Sequence, residues 1–155
     1  MNRGHEAAAV EIRSAAELLR LPVRLHGLTL GRPVDLFLDR DELKGVGADV
    51  LCGDGEHRFL PLAAARVGDD AIAIASPFVL LEEEQLSFYR SRTFSIGALR
   101  GRPVRRHDRD VGLLRDLQLE ADFAVAAVVV EAGGREEVLP FDDSIRFEPR
   151  SRSAA

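Results

Sequence analysis

The sequence contains few of the residues on which several classes of protein depend. Cys52 is the only cysteine among 155 residues, which excludes an intramolecular disulfide. Tryptophan is absent, Tyr89 is the only tyrosine, and Lys44 is the only lysine among 21 basic residues. No run of about 18 apolar residues occurs, and acids and arginines interrupt the N-terminal part of the chain. We therefore expect neither a membrane span nor a signal peptide.

Basic residues are also fewer than acidic residues. The chain has 26 acidic and 21 basic residues, which gives a formal net charge of −5. A negatively charged chain is repelled by the phosphate backbone, so we expect no general affinity for nucleic acid. A single free cysteine fits a reducing compartment, and we expect the protein to be cytoplasmic.

The most informative pattern is a repeat of the first half of the chain in the second half. Ten residues return 81 positions later: Ser14, Leu18, Pro22, Val23, Arg24, His26, Gly31, Asp35, Leu36 and Leu38 match Ser95, Leu99, Pro103, Val104, Arg105, His107, Gly112, Asp116, Leu117 and Leu119. At a spacing of 79, Gly55, Leu60 and Pro61 then match Gly134, Leu139 and Pro140. This ordered series indicates a tandem duplication of a unit of roughly 60 residues.

Each repeat has the pattern of a small all-β unit. Ser14 and Glu17 form a capping box, which predicts a short helical turn before the first strand. The almost wholly apolar run from Phe123 to Val130 is typical of a strand buried on both faces. Glycines at 53–55 and 133–134 predict hairpin turns. Many short strands separated by such turns predict an all-β barrel or sandwich in each of the two repeats.

The repeat also predicts how the chain is divided. We expect a first unit over residues 8–76, a linker over 77–94, a second unit over 95–149 and a disordered tail over 150–155. Within the linker, the segment from Leu80 to Tyr89 predicts about two helical turns.

Three segments of the second repeat carry a family resemblance. Leu99–Val104, Gly112–Leu119 and Val138–Asp143 resemble the PRC-barrel domain, the small β-barrel of the photosynthetic reaction-centre H subunit and of a ribosome-maturation factor. The first repeat departs from this pattern, since Leu21 replaces a glycine and Ala63-Ala64 replace two acids. The resemblance implies two tandem PRC-barrel units that act without catalysis as a module docking on other proteins.

Aromatic residues concentrate in and beside the linker, where Phe78, Phe88, Tyr89 and Phe94 lie. Two interpretations stay open. These side chains fill a groove between the two units, or Phe88 and Tyr89 form a partner-binding patch, since aromatic side chains are enriched at the centres of interfaces.

An arginine cluster is the second candidate partner-binding surface. Arg102, Arg105 and Arg106 lie in a short segment that Asp108 and Asp110 partly neutralise. One interpretation is a solvated rim of the barrel. The alternative is a site for an anionic partner, either protein or RNA.

We predict no catalytic, cofactor or metal site. His26 and His107 are equivalent in the repeat but lack neighbours at metal-ligand spacing. Cys52 lies five residues before His57, yet no orienting acid completes a nucleophilic pair. The acidic segment 39–42 lacks the glycine and glutamate that a calcium loop requires.

These observations support three hypotheses for function. The first is a cytoplasmic protein-interaction or scaffold module without enzymatic activity. The second is a ribosome- or RNA-associated assembly factor, which rests on the family resemblance alone. The third is a small-ligand-binding protein that uses the cleft between its units. Association with a second copy of the chain is compatible with each of them.

Overall fold

The computed structural model describes residues 12–147 and is mostly strand, at 54%. The predicted all-β fold is confirmed. The described strands are β1 (Arg13–Ser14), β2 (Val23–Leu25), β3 (Leu28–Asp39), β4 (Gly45–Cys52), β5 (His57–Pro61), β6 (Arg66–Val67), β7 (Ile72–Ile74), β8 (Thr93–Ser95), β9 (Pro103–Arg106), β10 (Arg109–Leu119), β11 (Val125–Ala132), β12 (Arg135–Pro140) and β13 (Ile145–Phe147). The described α-helices are α1 (Ala15–Leu18), α2 (Glu83–Arg92) and α3 (Ile96–Leu99), and 3-10 turns cover Leu62–Ala64 and Pro77–Val79.

The predicted tail over 150–155 and the first residues of the predicted first unit lie outside the described residues. None of the helices within residues 12–147 has the length and apolar character needed to cross a lipid bilayer.

The chain forms two compact units whose boundaries cross the sequence repeat. Ala16–Ile96 forms the first unit, whereas the second unit combines Gly97–Ala155 with Met1–Ala15. As a result β8, which opens the second repeat, pairs with β3 of the first unit. In the same way β1, which opens the first repeat, pairs with β10 of the second unit. Each unit is therefore completed by the strand that opens the other repeat.

The first unit is built on the long strand β3. Its sheet has the order β5-β4-β3-β2-β7-β6, with β8 also paired to β3. The β3–β4 ladder has register shifts between Pro33 and Asp35 and between Phe37 and Leu38. Pro33 has no N–H to donate, so its place beside a bulge fits the expectation from sequence. The Asp35 carboxylate accepts the Leu36 backbone N–H at 2.9 Å.

The second unit has a similar arrangement around β10, but its end strand β13 pairs antiparallel with β9, whereas β7 pairs parallel with β2 in the first unit. Its sheet has the order β12-β11-β10-β9-β13, and β1 also pairs with β10. The β10–β11 register shifts fall between Leu114 and Asp116 and between Gln118 and Leu119. The Asp116 carboxylate accepts the Leu117 N–H at 2.8 Å. These features lie 81 positions after their counterparts in β3.

Hydrogen bonding closes neither sheet into a barrel. Within the described residues the ladders run from β5 to β6 in one unit and from β12 to β13 in the other. The end strands β6 and β13 have only two and three residues. No described ladder joins β6 to β5 or β13 to β12. The predicted closed barrels are therefore open sheets in this structure.

An aromatic cluster fills the core of the first unit next to α2. Phe37, Phe59 and Leu86 are fully buried, and Val46, Leu81 and Tyr89 pack against them. Gly47 lies on β4 directly beneath the Phe59 ring, where a Cβ would overlap the ring atoms. This close approach explains a glycine inside a strand that otherwise disfavours it.

Candidate functional site

The helix α2 docks on the first unit through its inner face. Glu83 and Glu84 occupy its first turn, and Arg90 and Arg92 its last turn, so the charges complement the helix dipole. Tyr89 stacks on Phe59, with ring centroids 4.1 Å apart and planes within 4°. Tyr89, predicted as a partner-binding residue, therefore packs within the first unit.

Phe88 faces the other way from its neighbour Tyr89. Its side chain is 49% exposed, and its ring meets the Tyr89 ring edge-on at 5.2 Å. The Arg92 guanidinium lies 4.1 Å from the Phe88 ring centroid, which is a cation–π distance. The two predicted partner-binding aromatics thus have different surroundings, and Phe88 is the accessible one.

A buried carboxylate joins α2 to the sheet. Asp49, on β4, is one of the few buried charged residues of the described chain. One of its oxygens lies 2.8 Å from His57 Nδ1, and Arg90 Nη2 donates to the other at 3.0 Å. Both oxygens of the buried acid are therefore partnered, as burial requires. His57 and Arg90 are about half exposed.

An open groove of about 740 Å³ lies beside this helix, within the first unit. We call it the groove. It is lined by Thr29, Leu30, Cys52, Gly53, Asp54, Arg58, Pro77, Phe78, Leu80, Leu81, Glu82 and Gln85. Phe78 stands on the 3-10 turn at its rim with 86% of its side chain exposed. The Ser76 hydroxyl oxygen accepts the Phe78 N–H at 3.1 Å, which fixes this turn.

One ion pair organises the polar wall of the groove. Arg58 donates two parallel hydrogen bonds to the Asp54 carboxylate, at 3.1 and 2.9 Å. These bonds, with the Glu56 backbone N–H, lower the pKa of Asp54 from 3.8 to about 2. The Asp54 carboxylate, and after it the Cys52 thiol, raises the pKa of Arg58. Arg58 is thus a fixed cation in a lining that also holds the apolar side chains of Leu30, Leu80 and Leu81.

Cys52 belongs to the groove wall and is not paired with His57. Its thiol is free and buried, and its Sγ lies 3.8 Å from the Val50 carbonyl. The His57 ring instead points to Asp49. His57 lies opposite Leu51 in the ladder, so its side chain is on the sheet face opposite to that of the adjacent Cys52, and the imidazole is not positioned as a base for the thiol.

The three predicted partner-binding arginines lie at the start of the second repeat. Arg105 donates through Nε to Asp110 at 3.1 Å, and in the ladder it lies opposite Arg146. Arg106 lies opposite Ile145. The Ser144 hydroxyl and backbone N–H lower the pKa of Asp142, and the charge of Arg106 adds to this effect.

Arg102 lies just before β9 and holds the neighbouring chain through its backbone. Its N–H donates to the Leu99 carbonyl at 3.0 Å, and its own carbonyl accepts the Leu114 N–H at 2.9 Å. Arg102 is part-buried, as are Arg105 and Arg106. The three arginines therefore lie in one region of the second unit, and Phe88 and Tyr89 lie in the first unit.

The two equivalent histidines lie in turns. His26 and His107 have φ of 50° and 52°, in the left-handed region. His26 lies in the turn between β2 and β3, and His107 lies in the turn between β9 and β10. Within residues 12–147, no group of three or more His, Cys, Asp or Glu side chains is arranged to hold a metal ion.

No protein-family model matches the chain, and no curated protein matches it significantly. The groove was missed by sequence reasoning, although the apolar run Pro77–Leu81 before a row of glutamates was a usable signal. The buried ion pair was missed because Asp49 and Arg90 are 41 positions apart, and no spacing rule joins them.

Proposed function

We propose that the protein is a cytoplasmic, non-catalytic interaction module of two PRC-barrel-like units, and that a partner protein docks in the groove. The observation that carries this proposal is Phe78, a large apolar side chain that is 86% exposed at the rim. Large exposed apolar surface next to polar residues is typical of protein-interaction sites.

The chemistry of the groove indicates what kind of segment it takes. Leu30, Leu80 and Leu81 supply apolar wall, so an aliphatic or aromatic side chain fits between them. Arg58 is neutralised by Asp54, which leaves Glu82 as the unbalanced charge of the lining. Glu83 follows directly on the first turn of α2. We therefore expect the partner segment to combine an apolar anchor with a basic residue.

The side chains of the groove support binding rather than catalysis. The Cys52 thiol has no positioned base, and Asp54 is held as an ion pair with Arg58. A fixed ion pair on an apolar wall instead gives orientation and specificity to a bound segment.

The test compares two exposed phenylalanines of the full-length chain. Wild type, Phe78→Ala and Phe88→Ala are used as baits in extract from the source cells, and a candidate partner is then made recombinantly. Titration calorimetry is expected to show binding at least about tenfold weaker for Phe78→Ala, a hot-spot effect, and no comparable change for Phe88→Ala.

Cys52 provides a built-in reporter for the same experiment. As the only cysteine, it lines the groove, so a docked segment slows its alkylation. A partner that binds Phe78→Ala as tightly as wild type, or leaves the alkylation rate of Cys52 unchanged, would contradict the proposal.

A small-molecule site is the second candidate, because the groove volume of about 740 Å³ falls in the range of ligand pockets. Thermal-shift screening separates the two candidates: a ligand that raises the melting temperature and protects Cys52, with no protein partner found, favours this candidate.

RNA association is a weaker candidate. Arg105 is paired with Asp110, and Arg100 lies 4.0 Å from Asp116. This candidate would be favoured by a gel shift of RNA in which the affinity falls steeply as salt is added and falls again in the Arg106→Ala variant.

A further inference from the structure

We propose that the chain's own residues 2–11 dock on the β10–β11–β12 face of the second unit. They would occupy there the place that α2 occupies on the β3–β4–β5 face of the first unit. This inference concerns a different face from the groove and does not depend on the proposed function.

The two faces have the same cross-strand geometry. Asp49 and Phe59 are paired across β4 and β5, and Val129 and Val138 hold the same two places across β11 and β12. Both pairs lie beside the aspartate that the two repeats share in their longest strand, Asp35 in β3 and Asp116 in β10.

The burial of the equivalent residues differs sharply. Phe59 is 1% exposed, because α2 lies on it, whereas Val138 is 52% exposed. The described part of the second unit contains only short helical turns, the longest being the four residues of α3. Its β10–β11–β12 face is thus left with exposed apolar surface at the position that a ten-residue helix covers in the first unit.

The chain outside the described residues ends at this sheet. In the first unit α2 runs directly into β8, where Ser95 pairs with Phe37. In the second unit residues 2–11 are separated by Ile12 alone from β1, where Ser14 pairs with Gln118. Subtracting the repeat spacing of 81 from the bounds of α2, 83 and 92, gives 2 and 11. A helix of that length spans about 15 Å, which is the length that α2 uses.

At the position of the Asp49 ion pair, the residue types of the two surfaces change together. Arg90 of α2 pairs with the buried Asp49. Subtracting 81 from 90 gives Ala9, and the place of Asp49 in the ladder is taken by Val129. A cation and an acid that are in contact in the first unit thus correspond to two apolar residues at the equivalent positions of the second repeat arrangement. Such a paired change is expected where two surfaces touch, because an unpaired buried charge is costly.

The test introduces the ion pair of the first unit at the equivalent positions of the second unit, in the full-length chain. Val129→Asp is expected to lower the midpoint of thermal unfolding, and adding Ala9→Arg is expected to recover at least half of that loss. Ala7→Arg in the same Val129→Asp background is the matched control, because position 7 corresponds to Phe88, which faces outward in α2. Equal recovery by both arginines, or recovery by neither, would overturn the proposal.

A second measurement does not depend on the stability of the Val129 variant. A nitroxide is attached at Ala9→Cys in a Cys52→Ser background of the full-length chain. We expect the strongest broadening of backbone amide signals around Val129 and Val138. The proposal is refuted if the signals around Val129 and Val138 are not broadened. It is also refuted if signals elsewhere are broadened more strongly, apart from those of residues next to the label in sequence. Either result would also be obtained if a second copy or another protein covered this face.

Discussion

At the scale of single residues, the first unit depends on a polar contact that composition does not suggest. Asp49 is buried in β4 with both carboxylate oxygens partnered by His57 and Arg90. A buried carboxylate without partners is costly, so the contacts from Arg90 and His57 stabilise Asp49 in its buried position. The same contact fixes the last turn of α2 on the sheet.

We predict that Asp49→Asn lowers the free energy of unfolding by about 1–3 kcal/mol, measured by urea denaturation at neutral pH. A fully buried ion pair costs more when it is broken. Here His57 and Arg90 are about half exposed, so water compensates part of the loss.

Asp54→Asn is the control for this variant. It removes a carboxylate that also pairs with an arginine, but at an exposed hairpin turn. We expect a clearly smaller change from it. Equal losses for the two variants would show that burial of Asp49 contributes nothing.

At the scale of elements, the organising contact of the first unit is between α2 and its sheet. Leu86 is 1% exposed, and Tyr89 completes the stack that begins with Phe37 and Phe59. Short isolated helices are marginal in water, so α2 owes its stability to this packing.

We predict that Tyr89→Ala destabilises the protein by about 2–4 kcal/mol, because it removes an aromatic ring from a packed cluster. Phe88→Ala removes an adjacent ring of nearly the same size that is half exposed, and about 1 kcal/mol or less is expected. Urea denaturation gives both values, and hydrogen exchange of residues 83–92 reports whether α2 is loosened. Similar losses for both variants would contradict the assignment of the two faces.

At the scale of the whole molecule, the units do not coincide with the repeats. The first unit ends at Ile96 and contains both α2 and β8. A fragment cut at the predicted boundaries, 8–76, leaves out the helix that covers Phe59. It also leaves out Ser95, whose hydroxyl donates to Asp35 at 2.6 Å.

We predict that a fragment of residues 16–96 folds on its own and that the fragment 8–76 does not. The second fragment would expose the aromatic core and leave the edge of β3 unpaired. Dispersed amide signals and cooperative urea unfolding are expected for the first fragment only. Equal folding of the two fragments would show that α2 and β8 are dispensable.

Several local features follow from the sequence alone. The glycine hairpins were predictable because tight turns need positive φ, which glycine accepts and other residues rarely adopt. Gly55 and Gly134 have φ of 86° and 81° in the structure. The helical turns after Ser14 and Ser95 follow from local capping and apolar spacing. The groove and the Asp49 ion pair were not predictable, because their residues come together only when the strands and α2 have packed.

The sequence by itself determined the all-β class, the strands and the turns, since each depends on neighbours a few positions apart. Only the tertiary structure decided that β8 joins the first unit and β1 the second. Ser95 and Asp35 are 60 positions apart, and Arg13 pairs with Leu119. Contacts of such separation depend on which surfaces remain unburied after local elements form, and no pattern along the chain encodes that choice.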